Sequence, residues 1–237
     1  MAYVIDMLPA LAERVLRGRK VIRRKGPETR VCGAFFFFGM VKVMIDGNGL
    51  AWKEEGRKKV FDCRIFSICE TYSRSPENEL RTYTVIDAVD WVIVLPVLET
   101  PQGKKFVMVR QWRHGSRSLS LEFPGGVSEL GEDPKDAAAR EMLEETGYKP
   151  RAMRKIGEFN PNPAIMSNRT HFFLAEGLID TGNKKLDSDE YVETELVSIE
   201  AVAQGMGQPP YIHALMGSAM ALYLQATLPT AKPPTGA

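Results

Sequence analysis

Along the first third of the chain, apolar positions come in strand-length runs divided by polar turns. Residues 31–46, VCGAFFFFGMVKVMID, and 58–74, KKVFDCRIFSICETYSR, are rich in aromatic and β-branched residues. Asp46-Gly47-Asn48-Gly49 lies between them with a turn composition, because Gly and Asn tolerate positive φ. Ahead of these runs Leu8, Leu11 and Val15 recur at helical spacing among Asp6 and Glu13, which predicts a short amphipathic helix. The four aromatics at 35–38 fall far short of the roughly 20 apolar residues that span a bilayer, so a strand is expected there. Ser75-Pro76-Glu77-Asn78-Glu79 breaks the pattern, and a β-branched run follows over 81–89.

The next two runs are longer and apolar throughout: WVIVLPVLE from Trp91 and KKFVMVRQWR from Lys104, joined by Thr100-Pro101-Gln102-Gly103. Continuous apolarity with a turn between predicts a hairpin buried in a sheet. At Asp133-Pro134 the period changes to that of a helix, with Asp suited to cap exposed amides, Pro to the first helical position, and Gly147 to the end. Strands are expected at 154–159, 170–176 and 193–197, and a last helix over 211–225. The predicted organisation is a small β-rich domain over residues 1–85, an α/β domain over 86–228, and a disordered tail over 229–237 that holds Pro229, Pro233 and Pro234.

Composition then limits the function. Lys plus Arg number 31 against 30 Asp plus Glu, so no global field draws the chain to nucleic acid or to an anionic membrane, and phosphate recognition has to be local. Cys32, Cys63 and Cys69 form no CxxC pair and no zinc spacing, which favours a reducing, cytoplasmic setting.

The chemistry concentrates in residues 126–148, GVSELGEDPKDAAAREMLEETGY. On a helix Glu141 and Glu145 stand at i and i+4 with Glu144 beside them, so like charges crowd one side. Glu132 lies just before the helix, and Gly125-Gly126 forms a loop whose carbonyls can approach a ligand closely. Hard oxygens at this density suit Mg²⁺, or Mn²⁺, which also bridge phosphates.

The same segment fits Gly-x5-Glu-x7-Arg-Glu-apolar-x-Glu-Glu-x-Gly-apolar without a gap. Seven fixed types agree by chance on the order of once in 10⁸ to 10⁹ start positions. The chain is therefore identified as resembling the Nudix hydrolases. That resemblance implies an α/β/α sandwich with a mixed sheet, here preceded by the small β domain. It implies Glu141 and Glu145 as metal ligands, Glu144 and Glu132 as ligands or as partners of ligands, and the Gly125 carbonyl as a further ligand. Arg140 is implied to orient the carboxylates by ion pairing.

Asn162-Pro163-Ala164 puts a proline sixteen residues after Gly147, which resembles the mark of the branch that cleaves ADP-ribose and nucleoside diphosphate sugars; an ordinary turn is the other reading of Pro163. That resemblance implies an acidic loop before the last strand that carries the base or an extra metal ligand. Glu190 of Asp187-Ser188-Asp189-Glu190 is the best-aligned carboxylate, Glu193 the runner-up, and a solvated turn the alternative. Arg113 of RQWRHG resembles the arginine that holds substrate phosphates, while Glu122 either joins the metal shell or meets the sugar. Trp91 and Trp112 either stack on a base or belong to the core. The branch further implies a homodimer in which the β domain packs on the partner subunit. Two other readings stand beside a nucleoside diphosphate sugar hydrolase: the same chemistry on a dinucleotide, a coenzyme A derivative or a nucleoside triphosphate, and an idle Nudix fold that senses a ligand. Idle versions lose carboxylates from the box, and this chain retains all of them.

Overall fold

The computed structural model describes residues 47–186 and 191–228. The expected early helix, the aromatic strand at 35–38, Cys32, the loop 187–190 with Glu190, and the tail from 229 lie outside the described residues.

The expected turn around Gly47 is a short 3-10 segment, Gly47–Leu50. Three antiparallel strands follow in sheet order β1 (Lys53–Asp62), β2 (Ser67–Arg74) and β3 (Leu80–Asp87). The Pro-containing break at 75–79 is the β2–β3 turn, closed by Ser75 Oγ accepting from the Glu77 and Glu79 amides at 3.2 and 3.0 Å. Arg57 of β1 reaches across to the Asp87 carboxylate of β3. Both this sheet and the larger one fall within a compact unit beginning at Gly47.

Ala88, Val89 and Asp90 lead into the larger sheet. The buried Asn168 donates to the Val89 carbonyl at 3.1 Å, and Asp90 accepts from the Arg169 amide at 2.8 Å. The predicted hairpin is present as β4 (Trp91–Thr100) and β5 (Gly103–Arg113), turning at Thr100, whose hydroxyl accepts from the Gln102 amide. Adding β6 (Ser118–Glu122), β7 (Gly125–Val127), β9 (Ala152–Phe159), β10 (Thr170–Glu176) and β12 (Val192–Ser198) gives seven strands, and the path β12-β5-β4-β10-β9 runs across them. β4 and β10 are parallel and their other pairings antiparallel, so the sheet is mixed, as expected. Two short strands, β8 (Tyr148–Lys149) and β11 (Ile179–Asp180), pair separately.

Helices cover both faces. Alternation along β4 sends Val92 and Val94 towards helix α1 (Pro134–Thr146), where they meet Ala137, Ala138 and Met142. Ile93, Leu95 and Val97 face the opposite way, against α2 (Ile199–Gly205) and α3 (Ala214–Thr227), through Val202, Met216, Ala219 and Met220. A strand buried on both faces must be apolar at every position, which is why residues 91–98 read as an unbroken run. Each large side chain buried here, such as Phe106 or Leu95, contributes about 1.5–3 kcal/mol.

Three features differ from the sequence reading. The Gly125-Gly126 loop is the strand β7, paired with Ile93 and Val92 of β4. Helix α2 was not expected. The last helix begins at Ala214 rather than at 211, because Pro210 is tied to β6: its carbonyl accepts from the Leu121 amide at 3.0 Å.

Candidate active site

Helix α1 has the ends its sequence predicts. Asp133 accepts from the Lys135 amide at 2.8 Å, Pro134 opens the first turn, and Gly147 at φ 77° closes the last by donating to Leu143 O. Fixed ends set which side chains look towards β7.

Three side chains of α1, Arg140, Glu141 and Glu144, form one network with Glu132, which lies just before the helix. Arg140 donates to Glu132 at 3.0 and 2.9 Å, to Glu141 at 2.8 Å and to Glu144 at 3.2 Å, and also reaches the Val127 carbonyl. The Arg140 guanidinium pKa is raised well above its usual value, chiefly by the Glu132 hydrogen bonds and further by Glu141, against the opposing effect of burial. Glu132 is held below the usual carboxylate range, first by Arg140 and then, against some burial, by the Glu129 amide. The predicted orienting role of Arg140 thus has a geometry: one cation keeps three carboxylates together that would otherwise repel.

Glu145 points from the same helix to β7. It is 4% exposed, and its carboxylate accepts from the Gly125 amide at 2.9 Å. The two glycines are needed for contact. A Cβ on Gly125 would stand 2.1 Å from the Val92 carbonyl oxygen, and one on Gly126 would stand 2.5 Å from the Glu141 carboxyl carbon. A strand made of glycine lets the helix carboxylates lie directly against backbone.

Among the described residues no three acidic, histidine or cysteine side chains converge as a closed metal cage. Magnesium needs none, since it binds through one or two carboxylates and completes its shell with water and substrate phosphate. Glu141 packed on the Gly126 backbone and Glu145 on Gly125 supply such a hard-oxygen pair, and the donor set fits a divalent cation of that kind.

The other side of β7 opens on a cavity of about 650 Å³. It gathers several predicted substrate residues: Trp91, Trp112, Arg113 and Glu122, along with Gly125 and Gly126. Glu122 is buried and grips Arg113 in two parallel bonds, 3.0 and 2.6 Å. Burial opposes the charge of both. For Glu122 the Arg113 pair, His213 and Ser120 outweigh it and lower the pKa; for Arg113 Glu122 and the more distant Glu145 outweigh it and raise the pKa. Trp91 packs on the core and also lines the cavity, whereas Trp112 lines it while 48% exposed. The far wall comes from elsewhere: Ile65 and Phe66 between β1 and β2, Ile86 of β3, and Met166.

Two predicted residues stand apart from this cluster. Pro163 is exposed in a turn where Asn162 O accepts from the Ile165 and Met166 amides; that turn joins β3 through the Ile86 amide to the Ile165 carbonyl at 2.7 Å. Glu193 pairs in register with Arg110, whereas the adjacent Thr194 hydroxyl reaches the Glu145 carbonyl. Alternation therefore turns Glu193 to the face of the Arg110–Glu195 ion pair, away from α1. The sequence reading passed over His213, whose ring lies 3.5 Å from Glu122. A lone histidine before a helix carries no spacing signal.

A mixed sheet between helices, with an arginine-organised acidic helix laid on a glycine strand, defines a hydrolase of the Nudix class. A profile of the NUDIX domain matches residues 90–216, and the chain belongs to that family. It is similar to the ADP-ribose pyrophosphatase of Bacillus subtilis (strain 168), 32% identical over 154 residues that cover 65% of this chain and 82% of that protein. It is also similar to the ADP-sugar pyrophosphatase of Mus musculus, 34% identical over 114 residues, 43% of this chain and half of that protein's length (50%). Among solved structures, a crystal structure of an ADP compounds hydrolase superposes with a TM-score of 0.62 at 19% identity over 74% of this chain and 95% of that one, which establishes the shared fold.

Proposed function

We propose that this enzyme hydrolyses the pyrophosphate bond of ADP-ribose or a related nucleoside diphosphate sugar, releasing a nucleoside monophosphate and a sugar phosphate. One observation carries the reading: β7 joins the two groups, since Gly125 binds the Glu145 carboxylate of α1 and lines the cavity that also holds the Arg113–Glu122 pair. The names of the similar bacterial and mouse proteins, an ADP-ribose and an ADP-sugar pyrophosphatase, point to the same substrate class.

Glu141 and Glu145, with the Gly125 carbonyl, would hold Mg²⁺ or Mn²⁺, and Glu144 and Glu132 would complete or brace that set. Bound there, the cation neutralises phosphate oxygens and lowers the pKa of a coordinated water. Arg140 keeps Glu132, Glu141 and Glu144 in place as the phosphate approaches. Arg113, its plane fixed by Glu122, offers its remaining N–H groups to a diphosphate lying beside Glu145. The base in this reading is Glu190, since register turns Glu193 away from α1. Trp112 and Trp91 supply aromatic faces to the nucleobase. Exposed apolar side chains on the three-stranded sheet, Val60, Phe61, Leu80 and Tyr83, support a homodimer formed through that sheet. The free thiols of Cys63 and Cys69 suit a cytoplasmic setting, and among the described residues no helix is long and apolar enough to cross a membrane.

Assay of the purified chain with Mg²⁺ against ADP-ribose, GDP-mannose, UDP-glucose and coenzyme A tests the proposal. Preferential release of nucleoside monophosphate from the first three is expected. Preference for coenzyme A would move the chain to another Nudix substrate class.

A further inference from the structure

We propose that His213 is a specificity residue that binds a hydroxyl of the substrate's sugar at the Glu122 end of the cavity. The assignment rests on the pyrophosphatase reading above and extends it to a residue outside the Nudix box.

His213 is the residue before α3, yet its side chain makes no capping bond to that helix. The ring is turned instead to Glu122, with Nδ1 3.5 Å from Oε2, and it lines the cavity beside Ser120, Glu122 and Gly125. The imidazole is 36% exposed while Glu122 is 3% exposed, so the ring is the part of this pair that the cavity contents can touch.

The ring also stands on a fixed support. Pro210 O accepts from the Leu121 amide at 3.0 Å and from the Ser120 hydroxyl at 3.5 Å, and Met216 Sδ accepts from the Phe123 amide at 3.0 Å. The segment before α3 and the strand carrying Glu122 thus move as one piece. A binding group held on a rigid element loses little on engaging its ligand.

The chemistry at this end of the cavity matches a polyol. A carboxylate has about four acceptor positions, and Arg113 occupies two of those on Glu122. A neutral imidazole adds a donor and an acceptor, whereas Ser120 is buried and donates to Pro210 O. The exposed ring can therefore bond a hydroxyl without adding net charge. The wall formed by Ile65, Phe66, Ile86 and Met166 offers none of this and suits an apolar, flat group. Gly125, whose amide binds Glu145, lines the same cavity as Arg113 and His213, so a diphosphate beside Glu145 would extend its neighbouring sugar into the cavity that His213 lines.

The test is steady-state kinetics of the full chain, wild type, His213→Ala and His213→Gln, on ADP-ribose and on an ADP ester of a hydroxyl-free alkyl group. For His213→Ala, KM for ADP-ribose should rise about tenfold with kcat within about twofold, as expected for one lost hydrogen bond to a buried polar set. The rise for the alkyl ester should be severalfold smaller, and His213→Gln, which restores a donor and an acceptor, should recover most of the ADP-ribose affinity. Should the alanine variant fail to fold, His213→Leu, which keeps much of the volume but has no polar atom, still distinguishes the substrates, with a KM rise confined to ADP-ribose. Equal KM changes for both substrates, or a fall in kcat at unchanged KM, would overturn the assignment alone. A wild type that cleaves no nucleoside diphosphate ester would overturn the pyrophosphatase reading and this assignment together.

Discussion

The two walls of the site are built by different rules. The acidic wall comes from residues 125–147, one strand, one turn and one helix in unbroken succession, organised by Arg140 and two glycines. The opposite wall is assembled from Ile65, Phe66, Ile86, Met166 and His213, which are scattered over the chain and meet only because two sheets and the start of α3 come together. Chemistry is local in sequence here, and recognition is tertiary. Damage to the first wall should therefore appear in kcat, and damage to the second in KM.

The largest effect should come from Glu145→Gln. It keeps the shape of the side chain and one acceptor for the Gly125 amide but removes the charge, and kcat for ADP-ribose should fall by on the order of 10³-fold or more with unchanged circular dichroism. Full activity in that variant would displace the metal site from α1. Arg140→Met comes next. With its cation gone, Glu132, Glu141 and Glu144 repel, and a misplacement of about 1 Å costs on the order of 10²-fold in rate. An activity profile unchanged across Mg²⁺ concentrations would deny Arg140 its organising role.

The glycine pair separates stability from catalysis. Gly125→Ala drives a methyl into the Val92 carbonyl, backbone that cannot yield, and should destabilise the fold by about 1–3 kcal/mol or more, read as a lower denaturation midpoint. Gly126→Ala meets only the Glu141 carboxylate, which can swing away. Its stability should stay near wild type while the Mg²⁺ requirement rises. Similar midpoints for the two variants would mean that β7 is less tightly held against β4 than its pairing implies.

The smallest effect is on pH dependence. Glu122 and Glu132 both have lowered pKa values in the folded chain, so the stability they contribute is fully present above the unfolded carboxylate value of about 4.3 and is lost as pH falls through their lower folded values. His213, lowered chiefly by burial, acts in the same direction: below about pH 6.5 the unfolded chain takes up a proton that the folded one resists. Acid titration of the denaturation midpoint should therefore show a shallow loss starting at about pH 6.5 and a further loss below about pH 4.3. Stability that rose on acidification would contradict both assignments.

The sequence revealed most where neighbouring residues decide the outcome. Asp133, Pro134 and Gly147 set the ends of α1 by local hydrogen bonds and backbone preference, and the hairpin of β4 and β5 follows from two apolar runs around a tight turn. It failed where partners are distant. Two consecutive glycines read as a loop, and only the close approach of Val92 and Glu141 makes them a strand. Glu193 reads as the runner-up to Glu190 from its place after the acidic loop, and only the strand register shows that it stands opposite Arg110. His213 reaches Glu122 from a distant part of the chain, beside the bond that ties Pro210 to β6.

Everything in the acidic wall serves one idea, that carboxylates pressed onto a glycine strand hold a divalent cation against the diphosphate. Nucleoside monophosphate release from ADP-ribose should therefore be followed by wild type and Glu145→Gln while divalent ions are chelated and then restored. The expected result is loss of activity on chelation, recovery by Mg²⁺ in the wild type, and no recovery in the variant. Undiminished hydrolysis by the chelated wild type would contradict the account.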